Sequence, residues 1–342
     1  VTVFAIPLLC VISTLWSDYP PITLYFGTAF VVLALCILAM ARVVAFESLI
    51  AGLVLGISIT LLISLLDGTR IYNQINGSRA LIGLFGSKNM VGFTAEIGII
   101  ATLIYGLMLR GLWRKLCLAL PAFILAAACL ILSHSGTAIL TLAGAIIALG
   151  VALAIGKCPT PIRGFAMLGS IIAITVLATG IVYLTSSTDF LAALGKDSTL
   201  TGRTYLWQQG MEIAQERPLL GHGYSAFWVH GQPQAERYWQ EFYIASRTGF
   251  HFHNTWIQAW VDLGYVGAVL ITLIILANCL LSLRQLLRFG ATPEMLLLLS
   301  LSFMFLLRAF VEIDFFLGPF GIGSVLFYAI IPRLMQMNPS IQ

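Results

Sequence analysis

Apolar runs of about 20 residues recur from one end of the chain to the other, separated by short segments that collect the charges, glycines and prolines. Each run is long enough to cross a hydrocarbon layer of ~30 Å as a helix. The pattern predicts ten such helices, near residues 2–16, 22–41, 47–66, 91–109, 116–132, 137–156, 164–184, 256–283, 294–311 and 315–332. The fold class that follows is all-α, a polytopic membrane helix bundle. One interruption is far longer than the others, and it divides the chain into N-terminal spans (1–184), a large loop (185–254) and C-terminal spans (255–342).

Composition agrees with this pattern. Of the 342 residues, 59% are hydrophobic and 9% charged, whereas an ordinary soluble domain carries roughly 25% charged residues. A water-soluble globule is excluded, and lipid is an obligatory partner. The net charge of +4 is spread as isolated Lys and Arg with no basic stripe, so nucleic acid is not an expected partner. The short first run, which opens on Val1, leaves room for spans upstream.

The positions of the cations predict the orientation. One set of short loops holds Arg42, Arg110, Arg114, Lys115, Lys157, Arg163, Arg284, Arg288 and Arg333; the opposite set holds Arg70, Arg79 and Lys88. The richer set is expected to be cytoplasmic, which sends the large loop and all five histidines outside. The six cysteines fall in spans or on the cytoplasmic side and read as small apolar packing residues.

The large loop holds Tyr205, Trp207, Phe227, Trp228, Tyr238, Trp239, Phe242 and Tyr243. So many aromatics predict a folded loop rather than a linker. Within it Trp207, Met211 and Ala214 recur at helical spacing from Thr204 to Glu216, and Pro218 closes the run, which predicts an amphipathic interfacial helix. Gly221-His222-Gly223 follows, with two readings: a backbone cradle for an anion, or a plain turn.

Where the loop meets the next span stands His251-Phe252-His253-Asn254. A histidine near its free pKa of about 6.5 can take a proton from a sugar hydroxyl at neutral pH, with Asn254 orienting it or holding a hydroxyl. The plainer alternative is a His/Asn pair that caps the next helix. A metal site on His251 and His253 is not expected, because HExxH is missing and no cysteine lies on this side. Two outer cations, Arg203 and Lys88, can hold phosphate or merely anchor at the interface. Inside the spans, Glu96, Asp262 and Arg308 are costly charges, and Arg308 can pair with Glu312 one turn later.

In order and spacing these segments resemble the O-antigen ligase and exopolysaccharide polymerase superfamily. The resemblance is carried by Leu15-Trp16-Ser17-Asp18-Tyr19-Pro20, by Gly83-Leu84-Phe85-Gly86-Ser87-Lys88-Asn89, by Gly202-Arg203, by Pro218-Leu219-Leu220-Gly221-His222-Gly223, and by His253-Asn254 through Leu263-Gly264. The first two segments look more like the polymerase branch. The resemblance implies a bacterial inner-membrane enzyme, its site facing the periplasm, that needs no cofactor and no metal. Its partners would be an undecaprenyl-pyrophosphate-linked glycan donor, a sugar or lipid-linked glycan acceptor and other envelope polysaccharide assembly proteins. It also implies that His253 acts on the acceptor hydroxyl and that Arg203 binds the pyrophosphate. Lys88, Asn89, Asn254, Gly221, His222, Gly223 and Arg308 are candidate substrate contacts. Many members carry a basic residue in a serine-rich motif where this chain has Ser133-His134-Ser135-Gly136-Thr137, so either a second cation comes from elsewhere, with Lys88 and Arg308 as candidates, or the pyrophosphate is gripped more weakly than usual. A ligase for lipid A core, and a lipid-linked oligosaccharide flippase, are the competing expectations.

Overall fold

In the computed structural model, the described residues are 2–72, 79–184, 202–316 and 321–337. They form twelve α-helices and one small hairpin: α1 Thr2–Ile12, α2 Pro20–Val43, α3 Phe46–Asp67, the antiparallel pair β1 Arg70–Tyr72 and β2 Arg79–Leu81, α4 Lys88–Met108 and α5 Leu112–Ser133. Then come α6 Gly136–Lys157, α7 Thr160–Leu184, α8 Arg203–Glu216, α9 Pro233–Glu241, α10 Thr255–Phe289, α11 Pro293–Ala309 and α12 Ile322–Gln336. Six of these, α2 to α6 and α10, are long and apolar enough to cross a membrane, and shorter apolar helices cover Val3–Leu15, Thr160–Ala173 and Ile322–Gln336. The all-α membrane architecture expected from the pattern is therefore what the chain forms. Of the large loop, residues 185–201 lie outside the described residues.

The chain divides into two compact units. One comprises Val44–Gly195 and Leu281–Met304. Its hub is α4, 72% of whose most apolar stretch is buried, against 28% for α3 and α5, which turn most of their surface outward. Small residues allow the close approach that membrane helices need without a hydrophobic driving force. A Cβ on Gly92 would stand 2.7 Å from the Ser135 side chain, and one on Gly98 2.9 Å from Ile57.

The other unit comprises Val1–Val43, Lys196–Leu280 and Phe305–Gln342. It holds α1, α2, α8, α9, most of α10 and α12, and its loop is folded as the aromatics predict. Leu206, Ile213, Phe227, Tyr238, Trp239, Phe252 and Val261 form one buried cluster. Helix α8 forms over the expected stretch, but the buried face is Leu206, Ile213 and Ala214 rather than Trp207, Met211 and Ala214: Met211 is 41% exposed, and Gln208, Gln209 and Glu212 lie away from the core.

A break in α10 organises this unit. At Gly264 the backbone reaches φ 66, ψ −165, a conformation open essentially to glycine alone. The break frees carbonyls that an intact helix would use, and the segment Pro218–Gly223 lies into the gap. The N–H groups of His222 and Gly223 donate to Val261 O and Asp262 O, both at 2.9 Å, and Tyr265 N donates to Pro218 O at 2.8 Å. The approach tolerates no side chain: a Cβ on Gly264 would meet Leu219 backbone at 2.2 Å, and one on Gly221 would meet Asp262 and Leu263 at 2.6 Å. Gly264→Ala is expected to cost more than the ~1–3 kcal/mol of backbone strain alone. Thermal unfolding in detergent will show it as a lowered midpoint, or as failure to recover folded protein.

The segment after α1 fastens to the same joint. Trp16 Nε1 donates to Leu220 O (2.8 Å), Asp18 N donates to His222 O (3.0 Å), and His222 Nδ1 donates to the Asp18 carboxylate (2.8 Å), which also pairs with Arg217 (2.8 Å).

Candidate functional site

The candidate site is assembled where three stretches of this second-described unit meet: the start of α8, the residues before α10, and the short segment after α11. Helix α11 stops at Ala309, and the next residues run across the start of α10. Their carbonyls are taken one by one. Asn254 Nδ2 donates to Phe310 O (3.1 Å), Arg203 Nη1 to Val311 O (2.9 Å), and Thr255 Oγ1 to Glu312 O (2.7 Å). The clamp fixes the backbone of Glu312 and aims its side chain at the histidines.

Glu312 is the centre of the cluster, and only 4% of it is exposed. Arg203 Nη2 donates to its Oε1 at 2.7 Å, and His253 Nδ1 donates to its Oε2 at 3.1 Å. His251 Nε2 stands 3.9 Å from the same Oε2, and His251 Nδ1 accepts the backbone N–H of His253 at 3.0 Å. The two imidazole rings lie 4.1 Å apart. His253 sits on left-handed backbone, φ 50, and its side chain is 21% exposed, more open than Arg203 at 8% or His251 at 12%. Of the cluster, His253 is therefore the most open member.

The electrostatics follow from burial and charge. Burial, with the neighbouring His253, holds the His251 imidazole well below its usual range. Burial would push the Glu312 carboxyl up, but His253 and Arg203 outweigh this and hold it below the usual carboxylate range. Both shifts mean that the unfolded chain binds protons the folded chain refuses, so stability falls with falling pH. The loss should begin below about 6.5, as unfolded His251 charges, and steepen below about 4.3, as unfolded Glu312 protonates. Unfolding midpoints measured from pH 8 to pH 4 check this, and His251→Phe should remove the first of the two steps.

His251, His253 and Glu312 each offer a metal-ligating atom, all within 4.8 Å of one another. A divalent ion there would share Glu312 with a guanidinium already 2.7 Å away, so two cations would repel at one carboxylate.

The sequence candidates separate cleanly. The structure brings His253 and Arg203 together with Glu312, a residue that sequence reasoning named only as a partner for Arg308. Its signal was an isolated acidic pair, Glu312 and Asp314, in the narrow gap between two apolar runs. Arg308 instead grips Asp314 with two parallel bonds, Nε to Oδ2 at 2.5 Å and Nη2 to Oδ1 at 3.0 Å. Asn254 serves as helix cap: its Oδ1 accepts from Trp256 N (3.0 Å) and Ile257 N (3.1 Å), the plainer of its two readings. The anion cradle at Gly221, His222 and Gly223 gives way to the turn, because their N–H groups go to Arg217 O, Val261 O and Asp262 O. His222 is spent on Asp18. Lys88 and Asn89 belong to the other unit, where Lys88 opens α4 and Asn89 Oδ1 accepts from Ser135 Oγ at 3.3 Å.

Comparison with known proteins adds two findings. A family model described as O-antigen ligase matches residues 121–272. The chain is also 40% identical over 329 residues to the exopolysaccharide production protein ExoQ of Rhizobium meliloti (strain 1021), an alignment that covers 95% of this chain and 75% of that protein.

Proposed function

We propose that this chain, which belongs to the family of the exopolysaccharide production protein ExoQ and carries an O-antigen ligase domain match, polymerises exopolysaccharide repeat units. The donor in this reading is an undecaprenyl-pyrophosphate-linked oligosaccharide and the acceptor is a sugar hydroxyl. The observation that supports it is the His253–Glu312–Arg203 cluster, one half-open imidazole held by a buried carboxylate beside a guanidinium. His253 Nε2 takes the proton of the acceptor hydroxyl as its oxygen attacks the anomeric carbon. The bond from that carbon to the pyrophosphate breaks, and the electron pair leaves with the phosphate. Direct displacement inverts the anomeric centre. A lipid pyrophosphate is a good leaving group, so positioning and charge neutralisation are the main demands, and no covalent nucleophile is needed. A guanidinium carries five N–H donors, enough for Arg203 to hold Glu312 and Val311 O and to meet a phosphate oxygen as well.

The site faces the periplasm of the inner membrane in this reading, with the Arg- and Lys-rich short loops on the cytoplasmic side. Metal plays no part in it. The test is to incubate the purified protein with the host's lipid-linked repeat unit. A product ladder at repeat-unit intervals, unchanged by chelator, is expected. Transfer that waits for a lipid A core acceptor would make it a ligase. Donor that is never consumed would overturn glycosyl transfer, and loss in chelator restored by a divalent ion would overturn metal independence.

A further inference from the structure

A file of aromatic rings leads away from His253. The Phe250 ring stands edge-on to it at 6.2 Å, Phe242 lies 5.1 Å from Phe250, and Tyr205 lies 6.3 Å from Phe242. The Phe242 ring also crosses the backbone at Gly202, where a Cβ would meet it at 3.2 Å, so the file runs beside Arg203 too. These rings are not core in the ordinary sense. Phe242 and Phe250 are only partly buried against the loop's cluster, and Tyr205 is 40% exposed. Beyond Phe242 stands Tyr243, 91% exposed, whose left-handed backbone (φ 56) ends α9 and lets Ile244 N donate to Trp239 O at 2.7 Å. Planar polar groups edge the file. Tyr205 Oη donates to Glu241 at 3.3 Å, and Gln209 accepts from both Tyr238 Oη and Arg237.

Partly exposed aromatic rings, of which Tyr205 is the most open, beside carboxylate and amide side chains suit one ligand class. A pyranose ring turns an apolar C–H face to the negative face of an aromatic ring, while its hydroxyls need planar hydrogen-bonding partners at the edge. We propose that Phe250, Phe242 and Tyr205 form an oligosaccharide track that holds the glycan chain beyond the sugar placed at His253. The proposal rests on the reading of the protein as a glycosyl-transfer enzyme, but binding to the track can be measured without turnover.

The experiment uses the full chain in lipid nanodiscs and, as probe, lipid-free oligosaccharides of one and of several repeat units, cut from the host's own exopolysaccharide. Saturation-transfer NMR and tryptophan fluorescence report binding, and donor consumption is followed on the same preparation. The longer oligosaccharides should bind more tightly than the single unit. Tyr205→Ala should weaken that binding about 2- to 10-fold, the size of one stacked ring pair, while Tyr205→Phe keeps it. The proposal falls if no oligosaccharide binds at millimolar concentration, or if Tyr205→Ala binds as the wild type does. It falls also if a tryptophan placed by Tyr205→Trp is quenched by brominated lipid, which would make the file a membrane anchor. Binding that depends on Tyr205 in a preparation that never consumes donor would keep the track and overturn the enzyme reading.

Discussion

His253→Ala should lower glycosyl transfer about 10²- to 10⁴-fold, the usual worth of a general base, and leave the protein folded and inserted. The side chain is only 21% exposed, so truncation removes a mostly buried ring and should lower the unfolding midpoint modestly. Glu312 keeps its bond to Arg203 at 2.7 Å, so no buried charge is stranded by the change. The backbone adds a second cost, since φ 50 suits neither alanine nor any branched residue. His253→Asn tolerates that conformation far better and carries no base, so it should lose activity equally with a smaller change in unfolding midpoint. Both kcat and kcat/KM should fall together, because the proton moves only in the transition state. A product ladder at near wild-type rate from either variant would remove His253 from the chemistry.

Much of this architecture is legible in the pattern of apolar runs, because a membrane imposes the same length and composition on every span. Helix α8 is legible for a related reason: its apolar residues repeat with the helical period and Pro218 stops it. What is not legible depends on contacts between distant residues. Nothing in the run from Thr255 to Phe289 marks Gly264 as a break, because the carbonyls it frees are satisfied by His222 and Gly223, some forty positions earlier. The glycines that suggested an anion cradle are there to let two backbones touch. The pairing of Arg308 with Glu312 assumes one continuous helix, whereas α11 ends at Ala309. One bond of helical spacing still follows, Glu312 N to Arg308 O at 2.7 Å, but the chain then turns away, Asp314 takes the arginine and Glu312 turns to Arg203 and His253.

Glu312→Gln should damage both stability and turnover, and the two effects can be separated. The amide keeps the shape of the side chain but removes the charge that Arg203 and His253 share. Arg203 is 7% exposed, so the variant leaves a buried guanidinium without its counter-ion, a loss of about 3–5 kcal/mol. Turnover should drop toward the level of the His253 variants, because Nδ1 loses the carboxylate that fixes its proton and stabilises the imidazolium formed on proton transfer. Adding His253→Ala to Glu312→Gln should then cost little further activity, as expected of groups that act as one unit. Replacing both members of the ion pair, Arg203→Met with Glu312→Met, should recover much of the lost stability, since a buried pair removed whole strands no charge. It should not recover transfer. If that double variant regained activity along with its unfolding midpoint, Glu312 would be only a structural anchor and His253 would act without it.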